Sequence, residues 1–507
     1  MQHYQSSVVE YGWRRLLVTF AISLATMLEI VDSTIVNVAL PTIQGNLGAT
    51  IDEAAWVVTG YIVANVVVIP LTPWLQLRFG RREYYTASII GFTIASVLCG
   101  LSTSFAELVF WRVVQGVFGG GLISTSQAIL QETYPSAEIG KGQAIFSLGV
   151  IVGPTIGPTL GGIITDQLSW RWVFFINVVP GVLAALLTLL FLRNPQRPRR
   201  LPVDLPGIAL LAAGIGSLQY VLEEGERKNW FSDGGIIFFA IVAVVGTVAF
   251  VVWELFCAEQ PIVDLSILKN RGVAAGSLLG MTLGISLYGS ILILPQFVQS
   301  MLGFTATLSG YLIMVRAAAI GLLTPLAAIL IMRGRIDMRW VIGGAFVLVG
   351  IASAMQAVVT TTSTGFWAFA PMLILGGVGL SQLFVPLSVA IFASAPPRDA
   401  PKVSAFFNLA RQLGGSIATA VLVTILDRRD AFHYASLAGA ATLHRLPVVD
   451  YLTHSSPLAL YDLVSHQAMT MAFADTAWWT ALMSIALAPL VFVMRRPRRG
   501  VPAMVRE

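Results

Sequence analysis

Apolar segments long enough to cross a membrane recur along this 507-residue chain and constrain its fold more than any other feature. A helix needs about 20 consecutive apolar residues to span the hydrocarbon core. Fourteen segments meet that need: 16–40, 54–76, 84–103, 106–130, 143–165, 173–193, 206–223, 235–257, 273–295, 308–331, 340–360, 367–393, 404–426 and 476–494. They run continuously rather than alternating apolar with polar, which indicates helices and not a barrel. The predicted class is an all-α integral membrane protein with 14 transmembrane helices. Composition agrees: 11% of residues are charged, against about 25% in soluble proteins. A hydrophobic share of 56% also excludes a disordered chain.

The few charges sort by position. With the N-terminus cytoplasmic, 22 of the 31 Lys and Arg residues fall on the cytoplasmic side and six outside. The remaining three, Arg112, Arg316 and Arg411, lie within spans. Positive residues gather on the cytoplasmic side of membrane proteins, so both termini are expected there. The net charge of +5 records that asymmetry and does not call for a nucleic-acid partner. Arg14 and Arg15 lead into an apolar run too long for a cleavable signal sequence. Cys99 and Cys257 give no disulfide framework.

The chain carries traces of a duplication. At an offset of 261, Gly116, Pro135, Lys141, Phe146, Gly153 and Ile156 match Gly377, Pro396, Lys402, Phe407, Gly414 and Ile417. At an offset of 252, Leu71-Thr72-Pro73 recurs as Leu323-Thr324-Pro325. Both offsets set spans 2, 4 and 5 against spans 10, 12 and 13. The expected division is a six-helix bundle over 1–200, two inserted helices over 201–258, and a second six-helix bundle over 259–507. A basic, proline-rich linker occupies 193–202, and 427–475 is expected to be a long outer loop. Parallel repeats of this kind are common in carriers.

Chemistry concentrates in the spans. No Gly-x-x-x-x-Gly-Lys-Ser/Thr phosphate loop is present, so the sequence predicts a secondary active transporter driven by an ion gradient, not an enzyme, and no cofactor. The first span carries Glu29 and Asp32, three residues apart and on one helical face. Intramembrane acids are costly and usually mark ion or proton paths. Arg112 in the fourth span needs an anionic partner, for which Asp32 or Glu29 is the candidate. Protonation of that acid would release the arginine. The fifth span places Gly149, Gly153, Gly157 and Gly161 at four-residue spacing, with Pro154, Pro158 and Gly162 interleaved. Such a stripe lets a neighbouring backbone approach closely, and the prolines are expected to bend the helix. Arg78, Gly80, Arg81 and Arg82 form a basic turn between spans 2 and 3. Arg316 and Arg411 are read as either structural or functional intramembrane charges. His433, His444, His454 and His466 match no metal-ligand spacing, so no metal is expected.

These residues resemble the major facilitator superfamily in its fourteen-helix drug:proton antiporter branch (EmrB/QacA-like). Asp32 through Pro41 resembles the branch's first-helix signature, and Arg112 through Gly116 its fourth-helix motif, whose arginine is linked to proton coupling. Gly149 through Gly162 resembles its antiporter motif. Trp170 through Asn177, Pro206-Gly207 and Asn229 through Ser232 are similar to further branch patterns, as are Asn408, Arg411, Gly414 and Gly415. The resemblance implies multidrug efflux by alternating access from a bacterial inner membrane. Protons would bind at Asp32 and Glu29, and the basic turn would gate the cytoplasmic side. It also implies a periplasmic adaptor and an outer-membrane channel. A proton-coupled uptake symporter or a lipid-translocating carrier would share the fold. One departure stands out: where the superfamily's basic turn begins with glycine and has aspartate four residues on, this chain has Pro73 and Leu77.

Overall fold

The computed structural model describes residues 12–135, 138–194, 201–332, 337–442 and 446–493. Residues 195–200 of the linker and His444 lie outside the described residues. Thirteen helices among the described residues are long and apolar enough to cross a membrane. Ile139–Gln167, 29 residues, is a further helix of spanning length. In chain order the fourteen are α1 (Trp13–Leu47), α2 (Glu53–Phe79), α3 (Arg81–Leu101), α4 (Phe105–Thr133), α5 (Ile139–Gln167), α6 (Trp172–Phe191) and α7 (Leu205–Glu224). They continue as α8 (Gly234–Cys257), α9 (Arg271–Ser300), α10 (Ala306–Met332), α11 (Met338–Val359), α12 (Phe366–Phe392), α13 (Pro397–Ala440) and α14 (Pro457–Val493). A chain of fourteen antiparallel spans has two faces. The one bearing Arg78, Arg81 and Arg82 is called the basic face below.

Helix packing repeats. In the first half α1 packs on α5 and α6, while α2 packs on α4 and α3 packs on α4 and α6. In the second half α9 packs on α13 and α14, α10 on α12, and α11 on α12 and α14. Glycine makes the close crossings possible. A Cβ at Gly153 would lie 2.8 Å from Ile30 Cγ2, and one at Gly161 would lie 2.7 Å from the Ile35 carbonyl oxygen. Gly157 would overlap Thr34, so this part of the glycine stripe belongs to the α1 interface. In the second half Gly414 meets the Met281 backbone and Gly284 the Arg411 backbone. α5 runs as one helix through Pro154 and Pro158.

The halves touch near both faces. Towards the basic face, Gln127 Nε2 of α4 donates to Ser388 Oγ of α12 (3.2 Å). Asn408 Nδ2 of α13 donates to Gln127 Oε1 (2.7 Å). Towards the opposite face, α5 packs against α10, with Thr159 filling the place where a side chain at Gly310 would sit.

One expectation is overturned. Residues 427–475 are largely helix rather than loop: α13 continues to Ala440, a short helix covers Leu446–His454, and α14 begins at Pro457. Helices projecting from a membrane need no apolar run, so hydropathy does not find them. Arg429 Nε (2.5 Å) and His433 Nε2 (2.7 Å) of α13 both meet Asp475 Oδ2 of α14 and hold the projecting pair together.

Candidate functional site

Five helices of the first half converge on Asp32. Its side chain and that of Arg112 are both fully buried, at 0% exposure. Arg112 Nη1 donates to Asp32 Oδ2 at 2.7 Å. Gln115, one turn on from Arg112 along α4, donates through Nε2 to Asp32 Oδ1 (3.0 Å). Asn177 of α6 donates through Nδ2 to the same oxygen (2.6 Å) and to Ser96 Oγ of α3 (3.0 Å). Arg112 Nε is taken up by the Val57 carbonyl of α2 (2.9 Å), and the guanidinium lies 4.1 Å from the centre of the Tyr61 ring. A buried ion pair is costly unless further hydrogen bonds meet its remaining groups. Here three donors converge on one carboxylate, while Arg112 Nη2 is buried without an acceptor among the described residues.

Glu29 lies one turn away on α1, 5% exposed, in a different setting. Asn65 Nδ2 donates to its Oε1 at 2.9 Å, and the Ile123 backbone N–H donates to its Oε2 at 3.1 Å. That N–H is available because Gly119, Gly120 and Gly121 interrupt α4, and a second helical stretch starts at Leu122. Unpaired N–H groups at a helix start favour an anion. The glycines also let α4 lie against α2: a Cβ at Gly120 would be 3.0 Å from Val68 Cβ. Thus Asp32 is the acid paired with Arg112, and Glu29 is held by a helix start and an amide.

Of the other candidates, Arg411 lies within electrostatic range of Glu29, and the rest stand apart from this centre. Arg81 pairs with Glu132 at the end of α4 and donates through Nε to Gln76 Oε1 (2.9 Å). Gln76 Nε2 in turn donates to Thr125 Oγ1 (3.2 Å). Arg78 donates to the Leu201 carbonyl, and the Arg82 N–H to Asn194 Oδ1 (2.8 Å). Gly80 adopts φ +90°, the left-handed region, which lets the chain turn from α2 into α3. The basic turn is therefore organised without an aspartate at position 77: Gln76, Glu132, Asn194 and the Leu201 carbonyl supply its acceptors. Arg316 is buried on α10 against Gly376 and Gly377 of α12, and Arg411 is buried on α13 with Nε 3.4 Å from Asn408 Oδ1. Among the described residues no cluster of three His, Cys, Asp or Glu is arranged to hold a metal.

Sequence reading missed the neutral partners. Gln115 has a readable signal, one helical turn from Arg112 on the same face. Asn177 closes the Trp170–Asn177 pattern noted above, which gives no sign that it meets Asp32, and Asn65 and Ser96 have no signal, because single amides and hydroxyls are common in membrane helices.

A bundle of fourteen long helices, packed twice over in one scheme and carrying a buried carboxylate held by arginine, defines a multi-pass membrane transporter. Residues 22–419 match the Major Facilitator Superfamily, and the chain belongs to it. It is 36% identical to the multidrug export protein EmrB of Escherichia coli (strain K12), over 96% of each chain. It is 32% identical to the fatty acid resistance protein FarB of Neisseria gonorrhoeae, over 95% of this chain and 96% of the relative. Among solved structures it resembles the human organic anion transporter MFSD10 (TM-score 0.56, 14% identity, 93% of this chain and 99% of that one). It also resembles a bacterial homologue of the human lysosomal transporter Spinster (TM-score 0.55, 16% identity, 96% and 97%). At these identities the two structures speak for the fold alone.

Proposed function

We propose that this chain is a proton-coupled antiporter exporting toxic or amphipathic organic compounds, working by alternating access between residues 1–200 and 259–507. The observation that carries this is the fully buried Asp32–Arg112 pair. Neutralising Asp32 with a proton leaves the guanidinium without its counter-ion in a low-dielectric site, which favours a different arrangement of α1 and α4. Glu29 is the second proton site. Substrate binds near the midplane between the halves. Arg78, Gly80, Arg81 and Arg82, with Arg81 latched to Glu132, stabilise closure of the basic face, which is the cytoplasmic face of an inner membrane with both termini inside. Export is favoured over uptake because the relatives are named for multidrug export and fatty acid resistance. The projecting ends of α13 and α14 are where a periplasmic adaptor and, through it, an outer-membrane channel would meet the transporter. The test is dye efflux from proteoliposomes: efflux follows an imposed pH gradient and stops when the gradient is collapsed. Efflux indifferent to the gradient sinks proton coupling.

A further inference from the structure

α7 and α8 are extra to a fold built from two six-helix units, yet α7 is wedged between α2 of the first half and α13 of the second. Two adjacent stripes of α7 make the contacts. One stripe, Gly216, Tyr220 and Glu224, faces α2. A Cβ at Gly216 would be 3.4 Å from Val67 Cγ2. The Tyr220 ring stacks on Trp56 with centroids 5.4 Å apart, and Thr59 Oγ1 donates to Glu224 Oε1 at 2.8 Å. The other stripe, Gln219 and Glu223, faces α13 and continues into Glu226 and Trp230. Gln219 Nε2 donates to Ser416 Oγ (2.6 Å), and Ser416 Oγ donates to Glu223 Oε1 (3.2 Å). Trp230 Nε1 donates to Thr424 Oγ1 (3.0 Å), and Thr424 also bonds to Glu226.

The two contacts differ in kind. Towards α2 there is van der Waals contact of Gly216 with the Val63 and Val67 side chains, a ring stack and a buried carboxylate. Towards α13 there are side-chain hydrogen bonds to two hydroxyls, which exchange readily for water. The geometry points to α7 as a clasp that rides with α2 and grips α13 on the face opposite the basic one. Gln219, Glu223 and Ser416 are then positioning residues for transport, setting how readily that face opens. Opening breaks the Gln219–Ser416–Glu223 contact and leaves the α2 stripe intact. This rests on the alternating-access reading above.

The experiment joins each contact reversibly, in full-length protein with Cys257 replaced by alanine. Gln219→Cys with Ser416→Cys, and separately Gly216→Cys with Val67→Cys, are bridged by a reducible bis-methanethiosulfonate linker in proteoliposomes. Bridging the α13 pair is expected to cut pH-driven dye efflux at least tenfold, with reductant restoring it. Bridging the α2 pair is expected to leave efflux within twofold. Full efflux with the α13 pair bridged, or a block from the α2 pair alone, overturns the clasp. Loss of gradient dependence before bridging counts against the exporter reading instead. In that case, or where a pair fails to fold or link, spin labels decide the clasp. Labels at exposed Phe231 and Phe110 should keep one distance between pH 5.5 and 8, while labels at Phe231 and Val421 should change theirs. An unchanged Phe231–Val421 distance overturns the proposal.

Discussion

The two halves share one packing scheme and fill it differently. The offset that aligns α4 with α12 places Leu373 where Arg112 stands in the first half. Leu373 is fully buried in an apolar cluster with Ile293, Phe297, Phe369 and Phe473. Arg112 is as fully buried, but among Asp32, Gln115 and the Val57 carbonyl. The same arrangement of helices therefore closes over hydrocarbon on one side and over an ion pair on the other. At this position charge is not needed to build the architecture, although the second half buries Arg316 and Arg411 elsewhere. Desolvating each ion costs several kcal/mol, so the pair in the first half is explained by what it does and not by what it holds up.

That contrast can be broken directly. Asp32→Asn keeps the shape and hydrogen-bonding reach of the side chain while removing its charge and proton site. It should lower gradient-driven efflux in proteoliposomes, normalised to the folded protein reconstituted, by about tenfold or more, because intramembrane acids of this kind carry ion coupling. Activity near the parent level would reduce the pair to a structural one. Arg112→Leu makes the first half imitate the second on one side only. It strands a buried carboxylate and should destabilise the protein by about 3–5 kcal/mol, read as a lower thermal midpoint in detergent. Adding Asp32→Leu completes the imitation. The double variant should recover most of that stability and still fail to transport; a double variant no more stable than the single one would show that the ion pair does hold the half together.

How much of this was legible depended on contrast with the background. Asp32, Glu29 and Arg112 could be singled out because charge is conspicuous in an apolar run. Pairing Arg112 specifically with Asp32 could not be read, since Glu29 is on the same face; the break in α4 that occupies Glu29 shows only in three dimensions. The glycine stripe of α5 announced a close helix contact but not that Gly153, Gly157 and Gly161 meet α1. Gln219 and Glu223 lie near the end of a span, where polar residues ordinarily signal the membrane surface, so their contact with α13 left no trace in one dimension. Residues 427–475 were misread because only an apolar run distinguishes a membrane helix from a loop by hydropathy.

The smallest expected effect lies outside the spans. Lys402 of α13 donates to Asp264 Oδ2 at 2.7 Å, between the segment that follows α8 and the second half. Burial raises the Asp264 carboxyl, but hydrogen bonds from Lys402 and Ser266 outweigh it and leave it below its ordinary value. A carboxylate lowered on folding stabilises above its unfolded pKa, about 3.9, and that stability is lost as pH falls through the folded value. Both groups are about one-third exposed, so Lys402→Met should cost under about 1 kcal/mol at pH 7. The difference between parent and variant midpoints should shrink as pH falls below about 3.9 and vanish once folded Asp264 is protonated. A difference persisting there would assign the contribution to packing.

The unbroken course of α13 has a mechanical consequence. From Ala400 to Ala440 it is one helix of 41 residues, about 60 Å long at 1.5 Å per residue, twice the roughly 30 Å of hydrocarbon it crosses. Such a rod is a lever pivoting in the bilayer. A tilt of about 10° at the midplane sweeps a tip some 30 Å away by roughly 5 Å. With α14 tied alongside through Asp475, a transport cycle that tilts α13 would make the projecting end a pointer, displacing anything docked there without contact to substrate or proton.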